Sequence, residues 1–246
     1  MPEGPSIIIL KEATAQFKGK KILHAEGNLK TFDLTELEGQ RITDIKTWGK
    51  HFLICLPKFT IRIHLLMFGS YSINERKPNR QPRLRLYFAN DEELNFYACA
   101  IRRIDEPLTE VYDWTVDVMN KKFDKRKAGA KLRKHPEMLA CDAILDQQIF
   151  SGAGNIFKNE VLYRTKIHPL SKVGSLPDKK RREMVNEVIV YGKDFLKWKK
   201  AFVLRKHWEA HTKRKCPRDG NTFKKEYLGR TKRRTFYCEV CQTRYD

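Results

Sequence analysis

The spacing of apolar residues along the chain changes period twice. Over residues 6–18, Ile8, Ile9, Ala13 and Phe17 recur at helical spacing and Gly19 closes the run, which predicts an N-terminal helix. Pro2 and Pro5 keep the segment before it short and stiff. From about 21 to 105 the pattern breaks into short β-type runs, among them 41–45, 51–56, 60–65, 70–73, 83–88 and 94–99. Turn signals such as Leu56-Pro57-Lys58, Lys77-Pro78-Asn79 and Ala89-Asn90-Asp91 separate them. Many short strands at that spacing predict a β-sandwich. From about 115 to 200 the period becomes helical, over 125–134, 137–150, 155–165 and 178–200, and the loop Ser151-Gly152-Ala153-Gly154-Asn155 parts the second helix from the third. Residues 203–246 form a last segment dense in Lys, Arg, Cys and aromatics. The layout predicts an α+β fold in three parts: a helix plus β-sandwich over 1–114, a helical domain over 115–202 and a basic β-hairpin over 203–246.

Composition narrows the partner. Of 246 residues, 41% are hydrophobic, enough for packed cores, yet no apolar stretch reaches the ~20 residues that span a bilayer. The start Met1-Pro2-Glu3-Gly4-Pro5 lacks the charged and apolar regions of a signal peptide, so a soluble cytoplasmic protein is expected. Lys and Arg number 50 against 30 acids, a formal net charge of +20, and such an excess asks for an anionic partner. Nucleic acid and an acidic membrane surface both fit the charge, as does a merely solvated basic surface. Aromatics at 11%, Cys and His near the C-terminus and no lipidation motif favour nucleic acid over membrane.

Six cysteines without a secretion signal are expected reduced or metal-bound. Cys55, Cys99 and Cys141 stand in apolar runs and read as small buried hydrophobes. Cys238-Glu239-Val240-Cys241 is a C-x2-C knuckle with Cys216 upstream, and Asp219 stands where a second cysteine of the first turn would be. Three thiolates and a carboxylate can complete a tetrahedral structural zinc site, one ion per chain, with His211 the alternative fourth ligand and a metal-free hairpin packed by aromatics the alternative to both. Between the knuckles, residues 224–237 read as a hairpin whose basic turn suits phosphate contacts.

Three further places carry candidate chemistry. Small residues in Gly152-Ala153-Gly154-Asn155 leave backbone amides open at a helix start that Asn155 is expected to cap, an anion site suited to a DNA phosphate. Trp48-Gly49-Lys50-His51 places a lysine on a turn between two strand-like runs. At the N-terminus, removal of Met1, which the small Pro2 permits, leaves an α-amine beside Glu3. An α-amine is roughly 10–20% unprotonated at pH 7 against about 0.04% for lysine, which makes it the readier nucleophile for a Schiff base.

These pieces occur in one order: Pro2-Glu3-Gly4-Pro5, Gly49-Lys50, Leu145-Asp146-Gln147 through Gly152-Ala153-Gly154-Asn155 to Ile167-His168-Pro169, then the cysteine tail. In that order the chain resembles, over nearly its whole length, the formamidopyrimidine-DNA glycosylase and endonuclease VIII family; Gly4 matches the endonuclease VIII branch. The resemblance implies a helix-two-turn-helix motif in the helical domain and a zinc finger in the tail. It implies a bifunctional glycosylase and lyase of base excision repair that acts, as a monomer, on double-stranded DNA containing damaged bases or abasic sites. Oxidised pyrimidines are its favoured substrates, and the abasic site is cut by β/δ-elimination. It further implies Pro2 as Schiff-base nucleophile, Glu3 as proton-transfer partner and Lys50 as phosphate contact and catalytic aid. Asn155 and Arg233 would grip the backbone at the lesion. Leu66, Met67 and Phe68 fall where the family fills the space left by a flipped base, unless they are strand core. Cys216, Asp219, Cys238 and Cys241 would hold the zinc, and no organic cofactor is implied. A DNA binder without the chemistry and an RNA-binding zinc ribbon are the rival classes, and neither accounts for Pro2-Glu3.

Overall fold

The computed structural model describes residues 2–29 and 31–246; Met1, on which the expected N-terminal processing falls, lies outside the described residues. The chain divides into two compact units, one of Met1–Pro2 and Ser6–Asp113 and one of Glu3–Pro5 and Trp114–Asp246.

In the first unit α1 (Gly4–Thr14) leads into eight strands: β1 (His24–Glu26), β2 (Asp44–Trp48), β3 (His51–Cys55), β4 (Thr60–His64), β5 (Ser70–Ile73), β6 (Leu84–Tyr87), β7 (Glu93–Tyr97) and β8 (Ala100–Ile104). The helix starts two residues earlier than the apolar spacing suggests because proline is tolerated in a first turn, where its missing N–H has no partner to lose. The strands form two antiparallel four-stranded sheets, ordered β1-β6-β7-β5 and β2-β3-β4-β8. Alternation aims Phe52, Ile54, Ile61 and Ile63 of one sheet and Leu84, Leu86, Leu94 and Phe96 of the other into one core, closed by Ile7, Leu10 and Phe17. Phe52 and Phe96 meet across it with ring centroids 5.7 Å apart. The run expected at 41–45 forms three residues later, since Arg41 makes only an isolated bridge to Lys21. β1 and β8 carry no turn-bounded apolar run of their own, and their pairing to β6 and β4 is what makes them strands.

The first unit ends with α2 (Leu108–Val111); in the second, α3 (Lys125–Lys134), α4 (Ala140–Leu145), α5 (Asn155–Arg164) and α6 (Asp178–Lys200) are followed by the hairpin β9 (Lys224–Leu228) and β10 (Arg233–Tyr237). Asp124 caps α3 by accepting from the N–H of Arg126 and Lys127. The helix expected over 137–150 is confined to six residues, because Asp146 turns its carboxylate to the Gln148 N–H and the chain leaves the helical path. α5 is the axle of the unit: Ile156 through Tyr163 are all buried. α6 lays Met184, Val185, Val188, Tyr191 and Phe195 against it. The tail is fastened to the same helix by Glu160, whose carboxylate accepts the N–H groups of Glu209, Ala210 and His211. Among the described residues no helix is long and apolar enough to cross a membrane.

Candidate functional site

Four local arrangements hold the chemistry-bearing residues. The first is the start of α5. Gly152 takes φ +97°, open to glycine, and the Gln147 side chain holds the loop by accepting from the Gly152 N–H (3.0 Å) and donating to the Leu145 and Ala153 carbonyls (2.8 and 3.0 Å). The backbone amides of this turn do form an anion site, but the anion is internal. The buried Glu3 carboxylate accepts from the N–H of Gly154 (3.1 Å), Ile156 (2.9 Å) and Phe157 (3.4 Å). This corrects two expectations. Gly154, not Asn155, is the N-cap residue, without side-chain capping, and the helix start receives Glu3 rather than a phosphate. The physical reason is that one carboxylate already satisfies the amides a capping side chain would serve. A Cβ on Gly154 would stand 2.5 Å from Glu3 Cδ, so this approach requires glycine.

The second is the grip of α5 on the hairpin. The Asn155 side chain turns away from its own helix end, and its Nδ2 donates to the Arg234 carbonyl at 2.9 Å while Oδ1 is buried with no hydrogen-bond partner. Lys158, wholly buried, donates to the same strand, and Asn159 Oδ1 accepts the Phe236 N–H at 3.2 Å. Arg233 is exposed at the first position of β10, just past a tight turn with Gly229 at φ +73°. Both oxygens of Asp142 accept the Arg230 N–H (2.9 and 3.0 Å) and anchor that turn.

The third is the metal cluster. Cys216, Asp219, Cys238 and Cys241 offer ligand atoms that all lie within 4.8 Å of one another. Cys216 and Cys241 Sγ atoms are 3.7 Å apart and Cys238 Sγ is 3.2 Å from Asp219 Oδ2. Thiolates about 2.3 Å from a tetrahedral zinc stand about 3.8 Å apart, so the donor set has the size and softness such an ion requires. His211 is elsewhere: its Nδ1 faces Asn159 Nδ2 at 2.8 Å and its ring packs on Trp208 and Phe236. Cys55, Cys99 and Cys141 are buried, as their apolar runs suggest.

The fourth lies in the first unit. Trp48, the last residue of β2, pairs with His51, the first of β3, so Gly49-Lys50 is a two-residue hairpin loop, with Gly49 at φ +53°. Trp48 Nε1 donates to the Asp113 carbonyl (2.9 Å), and the Tyr112 hydroxyl meets His51 Nδ1 (3.1 Å). Burial, with Arg62, His64 and Lys50 nearby, holds the His51 ring down at about 3. His64, which sequence reading passed over, is likewise lowered by burial, Lys50 and Arg62, so both imidazoles are held toward their neutral form beside those two cations. Beyond β4, Leu66 takes φ +51° and the Gly69 N–H closes a turn on the Leu65 carbonyl at 2.7 Å. Leu66, Met67 and Phe68 are 49%, 52% and 81% exposed, which excludes the strand-core alternative.

Comparison with known proteins agrees with this architecture. Residues 1–103 match the formamidopyrimidine-DNA glycosylase N-terminal domain, and residues 114–197 match the H2TH domain of the same family. Endonuclease 8-like 2 of Mus musculus is 33% identical over 196 residues, 74% of this chain, and that of Homo sapiens 34% over 198 residues, also 74%. The chain spans 57% of the length of each. Among solved structures, a viral DNA glycosylase (TM-score 0.84, 23% identity) covers 98% of this chain with 100% of its own. The Lactococcus lactis formamidopyrimidine DNA glycosylase bound to DNA containing an abasic site (TM-score 0.85, 23% identity) does the same. At that identity these structures share the fold.

Proposed function

The chain belongs to the formamidopyrimidine-DNA glycosylase family, in its endonuclease VIII-like group, and on that premise we propose that it is a base-excision DNA glycosylase with abasic-site lyase activity. The observation that carries the reading is the seat of Glu3: a buried carboxylate held by backbone amides at the start of α5, one peptide bond from Pro2. A structural carboxylate has no need of a proline before it, whereas a catalytic one beside an N-terminal secondary amine has a use for it.

With Met1 removed, the Pro2 nitrogen attacks C1′ of the damaged nucleotide and the oxidised base, pyrimidines above all, leaves with a proton. The ring opens to an iminium between Pro2 and C1′. Loss of a C2′ proton then expels the 3′ phosphate, a second elimination expels the 5′ phosphate, and water releases Pro2. Glu3 exchanges protons with the sugar during ring opening. Lys50 and Arg233 bind phosphates, joined by the second N–H of Asn155 Nδ2, since only one is taken by Arg234. Leu66, Met67 and Phe68, exposed on their loop, enter the space left by the flipped base. Zinc held by Cys216, Asp219, Cys238 and Cys241 is structural and braces the hairpin that carries Arg233. Damaged duplex DNA is the partner and the monomer the working form.

Borohydride trapping on duplexes with different oxidised bases tests the reading. A covalent adduct is expected at residue 2, strongest on oxidised pyrimidines and abolished by one extra N-terminal residue. An adduct at an internal lysine, or none with protein that binds the duplex, overturns it.

A further inference from the structure

Lys158 is wholly buried on α5. Its Nζ lies 2.7 Å from Thr235 Oγ1, 3.2 Å from the Arg234 carbonyl oxygen and 3.5 Å from that of Arg233. An ammonium carries three N–H groups, and here three acceptors, all from one stretch of β10, receive them. The carboxylates in its neighbourhood are engaged otherwise: Glu3 with the amides of α5, Asp142 with the Arg230 N–H. The buried charge is therefore carried by one hydroxyl and two main-chain carbonyls of the strand that begins with Arg233.

Asn155 stands three residues before Lys158 and four before Asn159 on α5, the spacings that make helical neighbours. Together they bind successive main-chain groups of β10: Asn155 the Arg234 carbonyl, Lys158 the carbonyls of Arg233 and Arg234, Asn159 the Phe236 N–H. Asp142 secures the turn before this stretch and the cysteine cluster the end after it. The stretch between, with Arg233 at its head, is the part that Lys158, Asn155 and Asn159 hold to α5. A buried charge is a costly way to secure stability alone, because removing it from water carries a desolvation penalty that an apolar side chain of equal length avoids.

We infer that Lys158 is a positioning residue for DNA binding: its ammonium pins the main chain from Arg233 to Thr235 and so aims the Arg233 guanidinium at the DNA backbone. The inference rests on the reading of Arg233 as a phosphate contact. It also ties that contact to catalysis through one element, since the helix that holds the base of Arg233 is the helix whose first turn seats Glu3.

The role has a pH signature. Burial lowers Lys158 to about 8. The groups facing it are Cys141 and Asp142 from α4, Arg233 from β10, Glu3 and, from the tail, His211. Burial pushes the Cys141 thiol up to about 12 and His211 down to about 4, so both stay neutral from pH 7 to 9 while Lys158 loses its proton. A neutral amine has two N–H groups and a lone pair for three acceptors, and one carbonyl of the strand is then released.

The test is equilibrium binding of the full chain, and of Lys158→Met, Lys158→Arg and Arg233→Ala, to a duplex with a tetrahydrofuran abasic analogue. Each is titrated with salt at pH 7 and 9, with metal content and melting measured alongside. Lys158→Met is expected to fold with its metal, bind about tenfold more weakly and show a salt slope shallower by about one unit, as Arg233→Ala does. The double variant should be no weaker than either single one, because both remove the same contact. Affinity of the native chain should fall from pH 7 to 9 and that of Lys158→Met should not. Should the Met variant lose its metal, Lys158→Arg decides, since guanidinium keeps its charge and its binding should no longer fall with pH. Native affinity and slope in a folded Lys158→Met, additive losses with Arg233→Ala, or a fall with pH that survives in Lys158→Arg overturn the inference. An Arg233→Ala variant that binds like the native chain overturns instead the reading of Arg233 on which it rests.

Discussion

Glu3 and Gly154 stand 151 positions apart in the chain and 3.1 Å apart in the fold, carboxylate oxygen against backbone N–H. The pair explains why a glycine precedes α5: a methyl group there would lie 2.5 Å from Glu3 Cδ and 2.6 Å from Oε1, within the reach of a clash and not of a contact.

Gly154→Ala is therefore expected to displace Glu3 and to lower stability by about 1–3 kcal/mol, with loss of borohydride trapping. Gly129→Ala is its control, a half-buried position in α3 whose added Cβ meets nothing nearer than 3.8 Å, and it should leave trapping intact. Urea unfolding and single-turnover trapping read both. A Gly154→Ala protein with native stability and trapping would show that Glu3 does not need this seat.

The cysteine cluster predicts about one zinc per chain by elemental analysis, and loss of DNA binding on chelation before the rest of the protein melts. Asp219→Ala should weaken metal affinity clearly more than His211→Ala, because Asp219 Oδ2 lies 3.2 Å from Cys238 Sγ while His211 faces Asn159. Full-strength DNA binding by metal-free protein would leave a hairpin packed by its aromatics as the better account.

His51 supplies a pH dependence in the first unit. Its folded value, about 3, lies below the unfolded 6.5, so between those limits the unfolded chain takes up a proton that the folded chain refuses. The stability it contributes is complete above pH 6.5 and is lost as pH falls toward 3, on the order of 1 kcal/mol per pH unit. NMR titration should find the His51 ring neutral at pH 5, and His51→Gln should flatten the acid limb of the stability curve. A His51 midpoint near 6.5 would refute the burial argument.

Much of this protein is legible in its residues alone. The change of period from two to 3.6, the punctuating Gly and Pro, and the cysteine spacing give the order of elements and the donor set of the cluster. These signals are local: a strand's alternation and a knuckle's spacing hold wherever the chain later goes. Asn155, Lys158 and Asp142 show where that legibility stops. Asn155 stands at a helix start in a sequence that invites capping, yet its amide is used by Arg234 because Glu3, from the far end of the chain, had taken the helix amides. Lys158 looks like any surface lysine in Ile156-Phe157-Lys158-Asn159, and only the tail folding onto α5 buries it. β1 and β8 become strands through partners 61 and more than 30 residues away, Ala25 beside Leu86 and Ile63 beside Ile101. Local pattern decides which elements form, because propensity and period are properties of neighbours in sequence. Tertiary structure decides which polar group answers which, because a hydrogen bond is won by the donor and acceptor that the fold brings within about 3 Å, whatever their separation along the chain.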